Sequence, residues 1–169
     1  MENKTDLRLR AKSIRKTLDI PDISIKIASK IRGLPQYKHA KNVMLYYPMK
    51  YELNLLPLLE DDKNFYLPAV DGENLLVCSY KNGDSLKTSA FGTKEPSTEP
   101  VLPEILDLVI VPALAADKNN FRLGYGGGFY DRFLARNKIY SIAPVPAELF
   151  INHIPSENFD IPVDLVVTD

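Results

Sequence analysis

The 169-residue sequence has one cysteine, no apolar run of membrane-spanning length and almost no excess charge, with 21 Lys and Arg against 22 Asp and Glu. Each shortage excludes something. A single cysteine precludes an intramolecular disulfide and supplies no metal cluster, and the apolar run Leu75-Leu76-Val77-Cys78 makes it a core residue. Without a stretch of about 20 apolar residues the chain is not expected to cross a membrane. Its first residues are charged and do not read as a secretory leader, so a cytoplasmic protein is expected. A formal net charge of −1 gives no general drive toward nucleic acid or anionic lipid, so any anion site must be local. No internal repeat or linker divides the chain, and its length suits one domain over residues 1–169.

Glycine is scarce too, with eight in all, yet Gly124, Gly126, Gly127 and Gly128 crowd into one stretch between Phe121 and Leu134. Upstream, Leu108-Val109-Ile110-Val111 reads as a buried strand stopped by Pro112, and Tyr130 to Arg136 has helical spacing. The order strand, loop, glycine run, helix favours phosphate, because glycines let the backbone approach a ligand and a helix N-terminus offers free N–H groups. Arg122 and Arg132 flank the run, and a guanidinium grips phosphate oxygens in pairs. The alternative is a glycine-rich surface loop. Asp131 reads either as a Mg²⁺ ligand shared with phosphate or as a helix-start residue favoured by the dipole.

Residues 3 to 18 spell a basic amphipathic helix with Leu7, Ala11, Ile14 and Leu18 on one stripe. Most of its cations read as a solvated face; Lys4 and Arg8 stand apart, since two cations four residues apart near a helix start call for an anion between them. Asp22 to Arg32 is a second helix with Gly33 as its stop. Asn42 to Tyr47 is a strand ended by Pro48, followed by a loop holding Glu52, which either faces a ligand beyond the strand's carboxyl end or is an exposed loop residue. Leu55 to Leu59 is helical. Asn64 to Pro68 and Asn74 to Tyr80 are strands joined by an Asp71-Gly72 turn. Lys81 to Pro103 reads as a long loop that covers a site. Ile139 to Ala143 and Leu165 to Thr168 are short strands, and between them Asp160 and Asp164 are each either a surface residue or a partner of Asp131 in a Mg²⁺ site.

Together these pieces resemble the 5-formyltetrahydrofolate cyclo-ligase (5,10-methenyltetrahydrofolate synthetase) family over nearly the whole chain. The resemblance rests on Lys4-Thr5-Asp6-Leu7-Arg8, on Tyr47 and Glu52, on Val111-Pro112 followed by Arg122-Leu123-Gly124-Tyr125-Gly126-Gly127-Gly128-Phe129-Tyr130-Asp131, and on Asp160 before a final strand. Phe129 stands where the family usually has a tyrosine, so stacking there is kept and a hydroxyl is not.

The resemblance implies a single-domain α/β fold: an open, mostly parallel sheet with helices on both faces in three layers, related to the sugar-phosphate isomerase and CoA-transferase layout. It implies ATP- and Mg²⁺-dependent conversion of 5-formyltetrahydrofolate to 5,10-methenyltetrahydrofolate with release of ADP and phosphate. By that analogy Lys4 to Arg8 and Arg122 to Tyr130 hold ATP, and Asp131 and Asp160 hold Mg²⁺, Asp160 being preferred to Asp164. Lys4, Glu52 and Arg122 are the catalytic candidates, and Tyr47, Glu52, Phe91 and Tyr130 meet the folate, with Glu52 at the pterin and apart from the glycine run. The expected partner is a folate, polyglutamylated or not, taken by a monomer that binds neither nucleic acid nor membrane.

Overall fold

The computed structural model describes residues 1–169. From the N-terminus come helices α1 (Lys4–Arg15), α2 (Ile20–Gly33) and α3 (Pro35–His39), strand β1 (Asn42–Met44) and a 3-10 turn (Leu56–Glu60). Strands β2 (Asn64–Asp71), β3 (Asn74–Ser79), β4 (Leu86–Thr88), β5 (Lys94–Pro96), β6 (Pro100–Val101), β7 (Leu108–Ile110), β8 (Ala115–Asp117) and β9 (Arg122–Leu123) follow. Helix α4 (Phe129–Arg136) and strands β10 (Tyr140–Pro144), β11 (Phe150–Ile151) and β12 (Leu165–Val167) complete the chain. No helix is long and apolar enough to cross a membrane.

Strands covered on both faces must be apolar throughout, and β7 is such a strand, with Leu108, Val109 and Ile110 all fully buried. Successive side chains point to opposite faces. Leu108 and Ile110 join the core formed with Ile23, Ile27 and Ile31 of α2, whereas Val109 and Val111 join the core that receives Leu7 and Ala11 of α1 and Phe133 of α4. The helices therefore lie on both faces of one sheet, in three layers. That sheet has seven strands in the order β12-β10-β7-β1-β2-β3-β6; the first five are parallel and the β2–β3–β6 edge is antiparallel. A small sheet, β11-β8-β9, and a β4–β5 hairpin stand beside it.

The mostly parallel sheet with helices on both faces is as expected, and the departures within it have local causes. Pro68 does not end its strand but sits inside β2, paired with Val77. Leu45 N–H donates to the Tyr66 carbonyl, so the backbone groups of residues 66, 68 and 70 face the β1 side; β1 has already ended there, and no ladder needs the missing Pro68 N–H. Gly33 is the last residue of α2 and no left-handed stop; Leu34, extended at ψ 134° ahead of Pro35, ends the helix. The stretch from Lys81 to Pro103 is organised as the β4–β5 hairpin and the edge strand β6. The β8–β9 hairpin interrupts what the sequence shows as one loop before the glycine run, its strands being too short for a period to register.

Because β7 is shared by both cores, truncating it should be costly. Ile110→Ala is expected to lower the unfolding free energy by about 2–5 kcal/mol in equilibrium urea denaturation, while Leu102→Ala, at a side chain 76% exposed, should stay within about 0.5 kcal/mol. Equal small losses would remove β7 as the common centre.

Candidate active site

In an open α/β sheet, ligands sit beyond the carboxyl ends of the strands where the strand order reverses. Here the chain lays β1 in the middle, builds β2 and β3 on one side, then returns to place β7 and β10 on the other. The reversal falls between β1 and β7. From the end of β1 leaves the loop with Glu52, and from the end of β7 leaves the segment that continues through β8 and β9 to the glycine run.

Gly126 and Gly128 adopt φ +108° and +71°, a region costly to side chains. Gly128 begins α4 in the left-handed conformation, and no side chain caps the helix, so its first N–H groups are open to an anion. Space is the second requirement for glycine. A Cβ on Gly124 would meet Arg122 Nη1 at 2.8 Å, one on Gly127 the Phe129 ring at 2.8 Å, and one on Gly128 Arg132 Nη1 at 2.6 Å. The run thus forms a bare backbone cradle rimmed by two guanidinium groups. Arg122 donates from Nη1 to the Pro112 carbonyl at 3.0 Å and lies 5.4 Å over the Tyr130 ring, while its buried Nε has no partner. Desolvation pushes its pKa down, opposed chiefly by the negative charge of Asp131 and, more weakly, by neighbouring Tyr130 and Asp160. Arg132 lies 5.0 Å over Phe129 and gives its Nε–H to the Glu73 carbonyl.

Helix α1 brings its cations to this edge. Lys4 forms an ion pair with Asp160, 156 residues away, and approaches Phe159 at 5.7 Å. Arg8, one turn on, donates from Nε to the Gly124 carbonyl at 2.8 Å and flanks Gly126. Within the same segment Leu7 is buried in the core and Thr5 and Asp6 are exposed, so only Lys4 and Arg8 turn side chains toward the site. Leu123 likewise belongs to the core, at 1% exposure.

The structure brings Asp131 and Asp160 together. Asp131 Oδ1 accepts the N–H of Ile161, the residue after Asp160, at 3.0 Å. Both hydrogen bonds to Asp160, from Lys4 Nζ and the Glu157 N–H, fall on Oδ2, so each carboxylate keeps an oxygen outside these bonds. Asp164 has other work. Its Oδ2 accepts from the Ser141 N–H at 2.8 Å and from the Ser141 hydroxyl at 3.3 Å, fastening the approach to β12 against β10.

Glu52 is not an exposed loop residue; it is 8% exposed. Its Oε1 accepts the Met49 N–H at 2.8 Å while its own N–H returns to the Met49 carbonyl, closing a tight turn. Desolvation pushes its pKa up, opposed by the Met49 N–H, the Arg15 charge and the Tyr125 hydroxyl. The last of these corrects an expectation: Glu52 faces the glycine run, because Tyr125 of that run stands against its carboxylate. Burial, reinforced by Glu52, keeps the Tyr125 phenol protonated well above its ordinary range, and Tyr130 is raised by its own burial.

Phe91, at the tip of the β4–β5 hairpin, is 61% exposed and meets Phe129 edge-on at 5.7 Å, which sets an aromatic wall over the glycine run. Tyr47 is not joined to these groups: it packs on the α2 side of the sheet beside Tyr80. The residue that the sequence hides is Arg15, one of many α1 cations, which is 2% exposed and buried at the site's floor. Only its place in line with Ala11 on the apolar stripe sets it apart from the solvated lysines.

Comparison with known proteins gives this geometry its context. The family model described as the 5-formyltetrahydrofolate cyclo-ligase family matches residues 1–169. The 5-formyltetrahydrofolate cyclo-ligase of Haemophilus influenzae is 34% identical over 149 residues, covering 80% of this chain and 80% of that protein. That of Escherichia coli K12 is 33% identical over 154 residues, covering 83% and 85%. The NMR structure of Aquifex aeolicus 5,10-methenyltetrahydrofolate synthetase superposes with a TM-score of 0.86 at 35% identity, covering 98% of this chain and 89% of that one. The Mycoplasma pneumoniae synthetase, 21% identical, shares the fold with a TM-score of 0.80. An α/β sheet that opens between β1 and β7 onto a glycine cradle, two arginines and a pair of carboxylates, matched along its full length by that model, is an enzyme of the 5-formyltetrahydrofolate cyclo-ligase family.

Proposed function

We propose that this enzyme, acting as a cytoplasmic monomer of one domain, converts 5-formyltetrahydrofolate to 5,10-methenyltetrahydrofolate, consuming ATP with Mg²⁺ and releasing ADP and phosphate. The observation that carries the reading is the uncapped N-terminus of α4 behind a glycine cradle whose missing Cβ atoms would collide with Arg122 and Arg132. An anion of phosphate's size and charge satisfies what that arrangement leaves open, including the unpartnered Arg122 Nε.

A formamide oxygen is a poor leaving group, and phosphorylation makes it a good one. The formyl oxygen of the substrate attacks the γ-phosphorus of ATP, forming an O–P bond as the bond to the ADP oxygen breaks. The N10 amine adds to the activated formyl carbon and loses its proton, and the C–O bond then breaks as phosphate leaves with the former formyl oxygen. Such transfers depend on positioning and on neutralising spread charge. In this reading Arg8, Arg122 and the N–H groups from Gly124 to Tyr130 hold the phosphates, and Lys4 adds a charge beside Asp160. Glu52, as a carboxylate, accepts hydrogen bonds from the pterin amide and amino group at the floor of the switch point. Phe91, Phe129 and Tyr130 offer flat apolar faces to rings. Asp131 and Asp160 supply the hard oxygen donors that Mg²⁺ prefers, and the ion, when bound, neutralises phosphate charge. Tyr47, which packs on the α2 side of the sheet beside Tyr80, is given no contact with the folate in this reading.

Formation of the methenyl product, followed by its absorbance, is expected to require both ATP and Mg²⁺. Turnover that survives omission of ATP and chelation of the metal would refute the ATP- and Mg²⁺-dependent ligase reading.

For the carboxylates, Asp131→Asn and Asp160→Asn should each lower kcat/KM by at least about tenfold, or about 1.4 kcal/mol. Each should also raise the Mg²⁺ concentration for half-maximal rate, with the double variant little worse than either, because groups acting through one ion are not additive. Asp164→Asn should leave the Mg²⁺ requirement alone and lower the melting temperature, since its bonds go to Ser141. Additive effects, or a larger Mg²⁺ shift at Asp164, would refute the assignment.

A third test uses the cradle itself. Gly128→Ala is expected to raise KM for ATP at least about tenfold through strain at φ +71° and collision with Arg132. Gly33→Ala, at a helical glycine with nothing within 4 Å of the added Cβ, should leave the kinetics unchanged and stabilise the fold slightly.

A further inference from the structure

Arg15 is 2% exposed, and all its hydrogen bonds end on backbone carbonyls. Nη2 donates to Ala113 and, at 3.2 Å, to Leu114; Nε reaches Leu114 at 3.4 Å; and Nη1 donates to Tyr51 at 3.0 Å. Ala113 and Leu114 follow β7 and Tyr51 follows β1, so one guanidinium from α1 spans the two loops that open at the strand-order reversal. Burying an arginine with no carboxylate in contact is costly. The α1 helix could be anchored as well by an apolar side chain, so the cation needs another reason.

That reason lies at Tyr51. It holds φ +67°, a left-handed conformation that a residue with a side chain keeps only when its surroundings enforce it. Tyr51 immediately precedes Glu52, whose turn closes on Met49. The Tyr51 carbonyl is held by Arg15. The charged and titratable groups facing Glu52 are Arg15 from α1, Tyr46 from the end of β1, and Tyr125 and Tyr130 from the glycine run and α4. Arg15 is the one cation among them.

We propose that Arg15 is the positioning residue of Glu52, fixing the Tyr51–Glu52 turn through the Tyr51 carbonyl and presenting the one fixed positive charge to the Glu52 carboxylate. This deepens the folate reading and rests on it. Two functions follow, and they separate by substitution. Lysine keeps the charge but lacks the planar fork that reaches both loops; methionine keeps much of the length and loses both.

The test measures KM for 5-formyltetrahydrofolate, KM for ATP and the pH dependence of kcat/KM for the wild type, Glu52→Gln, Arg15→Lys and Arg15→Met. Glu52→Gln comes first, because unchanged folate kinetics there would overturn the folate reading itself and this proposal with it. If Glu52→Gln is impaired, Arg15→Lys should raise the folate KM by about tenfold while the ATP KM stays near wild type, with the acid limb of the profile unmoved. Arg15→Met should add an upward displacement of that limb by about 1 pH unit, because an opposite charge that kept the carboxylate ionised is gone. Should Arg15→Met fail to fold, the selective KM change in Arg15→Lys decides alone. An impaired Glu52→Gln combined with wild-type folate KM in Arg15→Lys, or with an unmoved limb in a folded Arg15→Met, would reduce Arg15 to an anchor of α1 and overturn the proposal.

Discussion

One helix ties together parts of the chain that lie farthest apart in sequence. From α1, Lys4 pairs with Asp160, Arg8 holds the Gly124 carbonyl, and Arg15 spans Tyr51 and the carbonyls after β7. These contacts reach across 156, 116, 36 and 98 or 99 residues. The helix is docked by Leu7 and Ala11, buried at 4% and 3%, and the cations point where they do because that apolar stripe fixes the helix's rotation. A helix turned by one position would send all three elsewhere. The site's geometry therefore depends on ordinary apolar packing between α1 and the sheet, with electrostatics following from it.

This dependence explains how a chain of net charge −1 builds a cationic edge. The Arg15 guanidinium is taken out of water and aimed at carbonyls, while Arg122 is half-buried, giving Nη1 to the Pro112 carbonyl and leaving its buried Nε without a partner. Burial lowers both pKa values without bringing either near neutrality, since a guanidinium stays protonated under all relevant conditions. A few desolvated charges in a low-dielectric recess attract an anion more than many exposed lysines do. Local placement, and not composition, sets the potential.

How much of this could be read in advance depends on the kind of signal. The isoleucine stripe of α2 has an unambiguous period, and the short β-branched apolar run at Leu108–Val111, stopped by Pro112, reads as a buried strand; the layered sheet follows from them. The glycine run announces a backbone cradle because few structures need Gly124, Gly126, Gly127 and Gly128 together. Arg15 is hidden because it is one of several cations along α1; only the tertiary rotation of the helix distinguishes a cation under the sheet's edge from Lys12 or Lys16 at its rim. The proximity of Glu52 to Tyr125 is equally a product of topology, since the β1 and β7 loops become neighbours only when the strand order reverses between them. The hairpin carrying Phe91 looks like a loop in the sequence because three-residue strands leave no period to detect.

The same geometry also explains why strain collects where it does. Of the two non-glycine residues at positive φ, Tyr51 at +67° and Asn120 at +66°, the first lies at the reversal between β1 and β7 and the second in the β8–β9 turn that continues from it, and the unsatisfied Arg122 Nε lies in the same segment. Other buried polar groups are satisfied, as Asp117 is by the N–H groups of Asn119, Phe121 and Ile154. A fold minimising its own free energy would relax these local conflicts, since each is removable by a small change in sequence. They are tolerable because the two cores, each of 20 buried residues, supply stability away from the strand ends. The rigid sheet holds the loops in conformations they would not adopt alone, and groups left open by that constraint are the ones free to bind a ligand.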